Sequence, residues 1–431
     1  MEQITKKTTE SLKIKKKLYA SCLSCGFVPF KSLNLINPNV PSIQHQVYRY
    51  VENGELEKYH AKDVWALCLT LETRDKIMKA EEGSPLYYAN SLKQFYLDFS
   101  SKDTYRLKTK KKKLEEKDFE GLTKAESRNL IKKTNEAAKQ NEARKLRVLR
   151  NGEAFLFFYG ADFSALMNDK PLLREIRNAK GSNFEDIFSK PAFYSFRELT
   201  QQEEGITRSE VNIINGAVTN TKMNGLFVTP DLNYGVYVLY KDIYHFSKES
   251  EINAKNYISS IISSPTGKAL DGSILLYQYD APIQKMIKRD SPKPRLHTDN
   301  LYESYNEQNI YAVPLSPEGQ MIAKMMSKRD WIDRVNDLTI TKEWQTQINQ
   351  YTPYDGLQTE TGKPPTYHLN FLIPDLGKLK RFINFVDVNS RNTARYVIHC
   401  FDVQADLLKS SVKKDIIIHP IPIDKFYEAM M

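Results

Sequence analysis

Apolar residues recur at Ile14, Leu18, Cys22 and Cys25, the i, i+4, i+8, i+11 spacing of one helical face. The period predicts a first helix over about 9–25, with Gly26 as its stop. A second short helix, "FKSLNLIN", follows Pro29, and "PNVP" reads as a turn made of helix breakers. A third helix is expected from Ser42, a good N-cap residue, with Ile43, Val47 and Val51 on its core side and Gly54 at its C-cap. "ELEKYH" and "VWALCLTLET" then read as a two-stranded ribbon.

Three helices and a ribbon within about 70 residues follow the order of a winged helix-turn-helix, assigned here to residues 1–101. If Ile43, Val47 and Val51 face the core, then Gln44, His45, Tyr48 and Arg49 face outward. Arg can pair with guanine and Gln with adenine, while Tyr and His reach phosphates or bases. The alternative is a three-helix subdomain used for protein contacts.

Downstream, "LYYANSLKQFYLDF" (about 86–101) is aromatic and either packs back on the first domain or begins a connector. Residues 102–152 read as a basic helical connector. Thr123 and Glu126 have capping-box spacing, and the helix they open is expected to end at Gly152. From 153 to 431 short apolar runs alternate with helical segments, the pattern of an α/β body. "AFLFFYG", "GLFVTP", "GVYVLYK", "GSILLYQYD", "NIYAVPLS", "YHLNFLIPD", "ARYVIHCFD" and "DIIIHPIPI" read as strands. "EINAKNYISSIISS" and "PEGQMIAKMMSKRDWIDRVND" read as helices. "SILLYQYDAPIQKMIK" echoes "RYVIHCFDVQADLLK", each a strand closing on an acidic residue (Asp280, Asp402) before a helix. A body built of two similar halves, about 153–345 and 366–431, would explain the echo, as would chance similarity of two buried strands. The fold class is mixed α/β.

Charge placement changes this picture most. The 431-residue chain is 41% hydrophobic and 27% charged, a globular composition, with a net charge of +10. Residues 102–150 hold seventeen Lys and Arg against eight Asp and Glu, and residues 1–31 hold seven Lys against two Glu. The rest is slightly acidic. Two basic segments on a near-neutral body point to double-stranded DNA as partner, with Lys13, Lys16 and Lys17 of the first helix and Lys110, Lys111, Lys112 and Lys113 of the connector as phosphate contacts. A solvated lysine-rich helix is the plainer reading. No apolar run reaches about 18 residues, so no membrane partner is expected. The polar, basic start of the chain fits a cytoplasmic protein.

Candidate chemistry is sparse. "CLSC" has the spacing of half a zinc site, but no second pair exists, and both cysteines continue the apolar stripe. Reduced thiols are the simple reading of Cys22, Cys25, Cys68 and Cys400. Gly362-Lys363 lies one residue too far from Gly356 for a P-loop. Glu198, Glu249, Glu251, Asp280 and Asp402 are the acidic residues nearest strand or helix ends, read first as caps and solvated ends. His399 beside Cys400 reads as a core histidine before a catalytic dyad. The expectation is therefore no catalytic residue, no metal and no cofactor.

"GFVPFKSLNLINPNVPSIQHQVYRYVENGELEK", followed by a basic helical connector and an α/β body, resembles the replication-relaxation type of protein carried by plasmids and conjugative elements of Gram-positive bacteria. "FYSFRELTQQ" and "GLFVTPDLNYGVYVLYKDIYHFSKESEINAKNYI" also resemble accessory proteins of such elements. The resemblance implies DNA binding in element replication, transfer or control. The body is expected to form a homodimer or to bind a replication, transfer or regulatory partner. It carries no catalytic motif across. Two other classes stay open: a metal-dependent nuclease or nicking enzyme with a divergent acidic site, and a regulator of toxin or defence type.

Overall fold

The structure is a computed structural model that describes residues 2–61, 64–81, 108, 112–166, 169–171, 191–201, 221–230, 232–240, 248–261, 270–288, 309–344, 352–389 and 393–431. The chain is mixed α/β, with three sheets among the described residues, and divides into two compact units, Met1–Gly160 and Ala161–Met431.

In the first unit the apolar stripe forms helix α1, Glu2–Cys25, longer than expected because no breaker interrupts residues 2–8. Ile14, Leu18, Cys22 and Cys25 are buried along it. Gly26 ends the helix in the left-handed region, φ +78°, donating to Cys22 O. Strand β1, Val28–Pro29, follows. The expected second helix is a 3-10 stretch, Phe30–Leu35. Helix α2, Val40–Glu52, starts earlier than predicted: Asn39, not Ser42, is its N-cap, with Asn39 Oδ1 accepting from Ser42 N at 3.3 Å. Pro41 is tolerated there because the first turn needs no proline N–H. Gly54, φ +70°, follows its end. The ribbon forms as β2, Leu56–Ala61, and β3, Val64–Leu69, in an antiparallel sheet ordered β1-β3-β2. "TLET" is not strand, because Thr70 caps helix α3, Leu71–Lys79, by accepting from Thr73 N.

Helix α4, Lys124–Gly160, opens on the predicted capping box: Glu126 Oε2 accepts from Thr123 N at 2.8 Å, and Thr123 Oγ1 accepts from Glu126 N at 3.3 Å. It does not stop at Gly152, and "AFLFFYG" is its last two turns rather than a strand. Gly152 is needed for packing: a Cβ there would stand 2.7 Å from Phe27 O. Ala154, Phe155, Leu156, Phe157 and Phe158 are all buried, and periodicity cannot separate such a run from a buried strand.

Among the described residues the second unit holds a five-stranded and a four-stranded sheet. The first contains β4 (Ala192–Ser195), β5 (Gly225–Val228), β6 (Asn233–Leu239), β7 (Gly272–Tyr277) and β8 (Ile310–Pro314), side by side in chain order. Its helices are α5 (Phe196–Gln201), α6 (Lys248–Ile261), α7 (Asp280–Lys288), α8 (Pro317–Met326) and α9 (Trp331–Thr339). The segment expected as one helix breaks between α8 and α9 at Asp330, φ +53°. The second sheet contains β9 (Gly356–Gln358), β10 (Thr366–Asn370), β11 (Arg395–Phe401) and β12 (Ile416–Ile421), with helices α10 (Leu376–Val388), α11 (Asp402–Ser411) and α12 (Ile423–Met430).

From β5 and from β9 onward the element order is the same. Each begins with an antiparallel strand pair and continues with two parallel additions, β6-β7-β8 and β10-β11-β12. The sequence echo is one residue out of phase with this correspondence. Matching Asp280 to Asp402 sets Tyr277 against His399. Tyr277 lies in the core cluster, whereas His399 sits between the core residues Ile398 and Cys400 and so takes the other face. Leu275, Ile258 and Ile283 share that cluster with Leu379, Phe382 and Leu408.

Candidate nucleic-acid interface

Helix α2 buries Ile43 and Val47 completely, which turns the opposite side outward. His45, Tyr48 and Arg49 are exposed and Gln44 is half-buried, the face expected from the stripe; Val51 is half-buried. The Tyr48 ring lies 6.1 Å from Phe30, and Lys58 Nζ stands 4.0 Å over it from β2. Further along the ribbon His60 pairs with Trp65, their ring centroids 4.6 Å apart. Lys58, His60 and Trp65 escape a reading of single segments. Only the antiparallel register, His60 opposite Trp65 and Lys58 opposite Leu67, puts them on one face.

The basic residues divide. Lys13 and Lys16 are exposed on α1. Lys17 is half-buried and donates to Gly160 O at 3.1 Å, so it holds α1 to the end of α4. Lys15 pairs with Glu55 at 2.6 Å, and Tyr19 also donates to Glu55. Burial raises the Glu55 carboxyl, but the Lys15 and Tyr19 bonds outweigh it and hold the group below its ordinary range. In the connector Lys112 lies 3.6 Å from Asp118, Lys113 is exposed, and Lys108 is tied to Glu57 at 2.5 Å. Lys110, Lys111 and the aromatic stretch 86–101 lie outside the described residues. The exposed part of α4 adds cations: Lys124, Arg128, Lys132 and Lys139 fall within an arc of about 80° at 100° per residue, an arc that also holds Glu142.

The cysteines pack rather than cluster outward. Cys22 and Cys25 are buried and lie 3.9 Å from the carbonyl oxygens of Leu67 and Asn151. Among the described residues no three His, Cys, Asp or Glu side chains are placed to hold a metal ion.

In the second unit three of the five acidic candidates, Glu198, Glu251 and Asp402, are bonded into the local structure. Glu198 is buried, pairs with the buried Lys170 at 3.0 Å, and accepts from Ser195 N at 2.7 Å. Lys170 also donates to Ala165 O and Phe193 O. Its ammonium is pushed down by burial, with Glu198 opposing the shift. Glu251 accepts from Thr221 Oγ1, Lys222 N and Tyr237 Oη. Asp402 Oδ1 accepts from Val403 N and Ile423 N. Glu249 and Asp280 are exposed; partial burial and the neighbouring Asp406 raise the Asp280 carboxyl.

His399 and Cys400 point to opposite faces of β11, so they form no dyad. Cys400 is in the core. His399 is half-buried and joins a row of three rings on adjacent parallel strands. Its Nε2 lies 3.0 Å from His368 Nδ1, and its Nδ1 lies 2.9 Å from His419 Nδ1. Trp344 stacks on His368 with centroids 4.4 Å apart. Burial lowers His399 to about 4, helped by the other two histidines.

Compared with known proteins, the chain matches no protein-family model, no curated protein and no solved structure. No helix among the described residues is long and apolar enough to cross a membrane.

Proposed function

We propose that the chain is a sequence-selective, double-stranded DNA-binding protein of a mobile genetic element, acting in its replication, transfer or transcriptional control. On this reading the first unit is a winged helix-turn-helix, with α2 as the helix that enters the major groove and the β2–β3 ribbon as the wing. The observation that carries it is the outward face of α2, where Gln44, His45, Tyr48 and Arg49 share one side of a helix whose other side is closed core. Lys13, Lys16, Lys112, Lys113 and the cationic arc of α4 supply phosphate contacts on either side of the reading helix in the sequence. The second unit, built of two similar halves, serves dimerisation or the binding of a replication or transfer protein.

The test is selection of bound duplexes from a random pool by the full chain, followed by gel shifts over a salt series. The expected result is an enriched sequence and log affinity that falls linearly with log salt, by about 0.9 per phosphate contact. Absence of binding at low salt removes the reading.

A further inference from the structure

The chain has three tryptophans, and two are buried: Trp331 is 2% exposed and Trp344 8%. Trp65 is 55% exposed on a ribbon otherwise well packed along β3. Leaving so large an apolar ring in water forgoes burial, so its surroundings bear on what would cover it. His60 lies opposite it at 4.6 Å between centroids, with planes inclined at 48°. Lys58 is two residues away on the same face of β2, its Nζ over Tyr48, which is itself 47% exposed. From α2 outward, the row reads Arg49 and Tyr48, then Lys58, then His60 and Trp65.

Alternating open aromatic rings and cations suits a ligand that alternates flat π-faces with negative charge. An apolar protein surface would leave Lys58 and Arg49 desolvated and unpaired. A fully paired duplex keeps its base faces stacked on one another and offers this row only edges and phosphates. An unpaired nucleotide offers a free base face to the indole and a phosphate to the lysine. We propose that the His60–Trp65 pair at the ribbon end is a stacking platform for an unpaired nucleobase flanking the duplex held by α2, so that the preferred ligand is a junction between double- and single-stranded DNA. The proposal rests on the duplex-binding reading of α2.

The test compares two DNAs of the same selected duplex sequence, one blunt and one with a short single-stranded extension, titrated into the full chain. Trp65 is the one open tryptophan, so its emission reports the contact directly. Stacking of one base predicts roughly tenfold tighter binding of the extended DNA, with quenching that the blunt DNA does not produce. In Trp65→Ala the affinity ratio between the two DNAs falls to about one, and Trp65→Phe keeps part of it. Equal affinity and equal quenching by both DNAs in the unsubstituted protein would overturn the platform while leaving duplex binding intact. So would Trp65→Ala lowering both affinities by the same factor. No binding of either DNA overturns the duplex reading and the platform together.

Discussion

In the first unit His45, Tyr48 and Arg49 stand in solvent on a helix that buries Ile43 and Val47 on its other side, and His60 and Trp65 are exposed on the ribbon beside it in the chain. In the second, Lys170, Glu198, Glu251 and Asp375 are buried, and each is bonded to backbone or to a neighbouring side chain. The same residue types therefore have different physical consequences. An exposed cation costs the fold little and is available to a ligand. A buried one is costly unless its partners are fixed, and once fixed it is part of the scaffold. The proposed reading assigns ligand recognition to the first unit, and the contrast gives three ways to test that assignment.

The largest effect is expected at the Lys170–Glu198 pair. Lys170→Met leaves Glu198 buried without its counterion and should cost about 3–5 kcal/mol, read as the urea midpoint of the transition followed by Trp331 and Trp344 emission. Adding Glu198→Gln should restore part of the loss, because a neutral amide still accepts from Ser195 N. A single substitution with no effect on the midpoint would break the contrast.

Next comes Arg49→Ala. It should weaken binding to the selected duplex by about 1–3 kcal/mol and relax selection at one base position, while stability changes by less than about 0.5 kcal/mol. A stability loss without an affinity loss would place Arg49 with the scaffold instead.

The smallest effect is a change of slope with pH. Burial, then the neighbouring rings, lowers His399 from 6.5 to about 4, so the folded unit keeps it neutral while the unfolded chain takes up a proton. The stability this contributes is present above pH 6.5 and is lost as pH falls toward 4. Asp375 has the opposite sign. Burial raises its carboxyl from 3.8 to about 6, so its term weakens the fold as pH rises through that window. His399→Gln should flatten the acid loss of stability between pH 6.5 and 4, and Asp375→Asn should steepen it. Identical slopes in the unsubstituted protein and His399→Gln would show that the histidine row does not set the acid response.

The parts legible in the sequence are those decided within one or two turns of chain. Ile43 and Val47 identify the core side of α2, and so its outward side, and Thr123 with Glu126 announces the start of α4. What stayed hidden depends on partners far along the chain. Gly152 reads as a helix stop until Phe27 O is seen pressing against it. Trp65 meets His60, and shares a ribbon face with Lys58, only through the antiparallel register of β2 and β3. Lys170 meets Glu198 across 28 residues, and the three histidines align because β10, β11 and β12 lie side by side.

If the chain holds a duplex as proposed, the exposed stretch of α4 has a consequence for footprint length. From Lys124 to Arg144 most side chains are exposed and none is buried. At 1.5 Å per residue those 21 residues extend about 30 Å, close to one turn of B-form DNA at about 34 Å. Laid along a duplex, this rod would shield about nine further base pairs without reading any of them. Nuclease protection would then outrun the sequence motif by most of a helical turn.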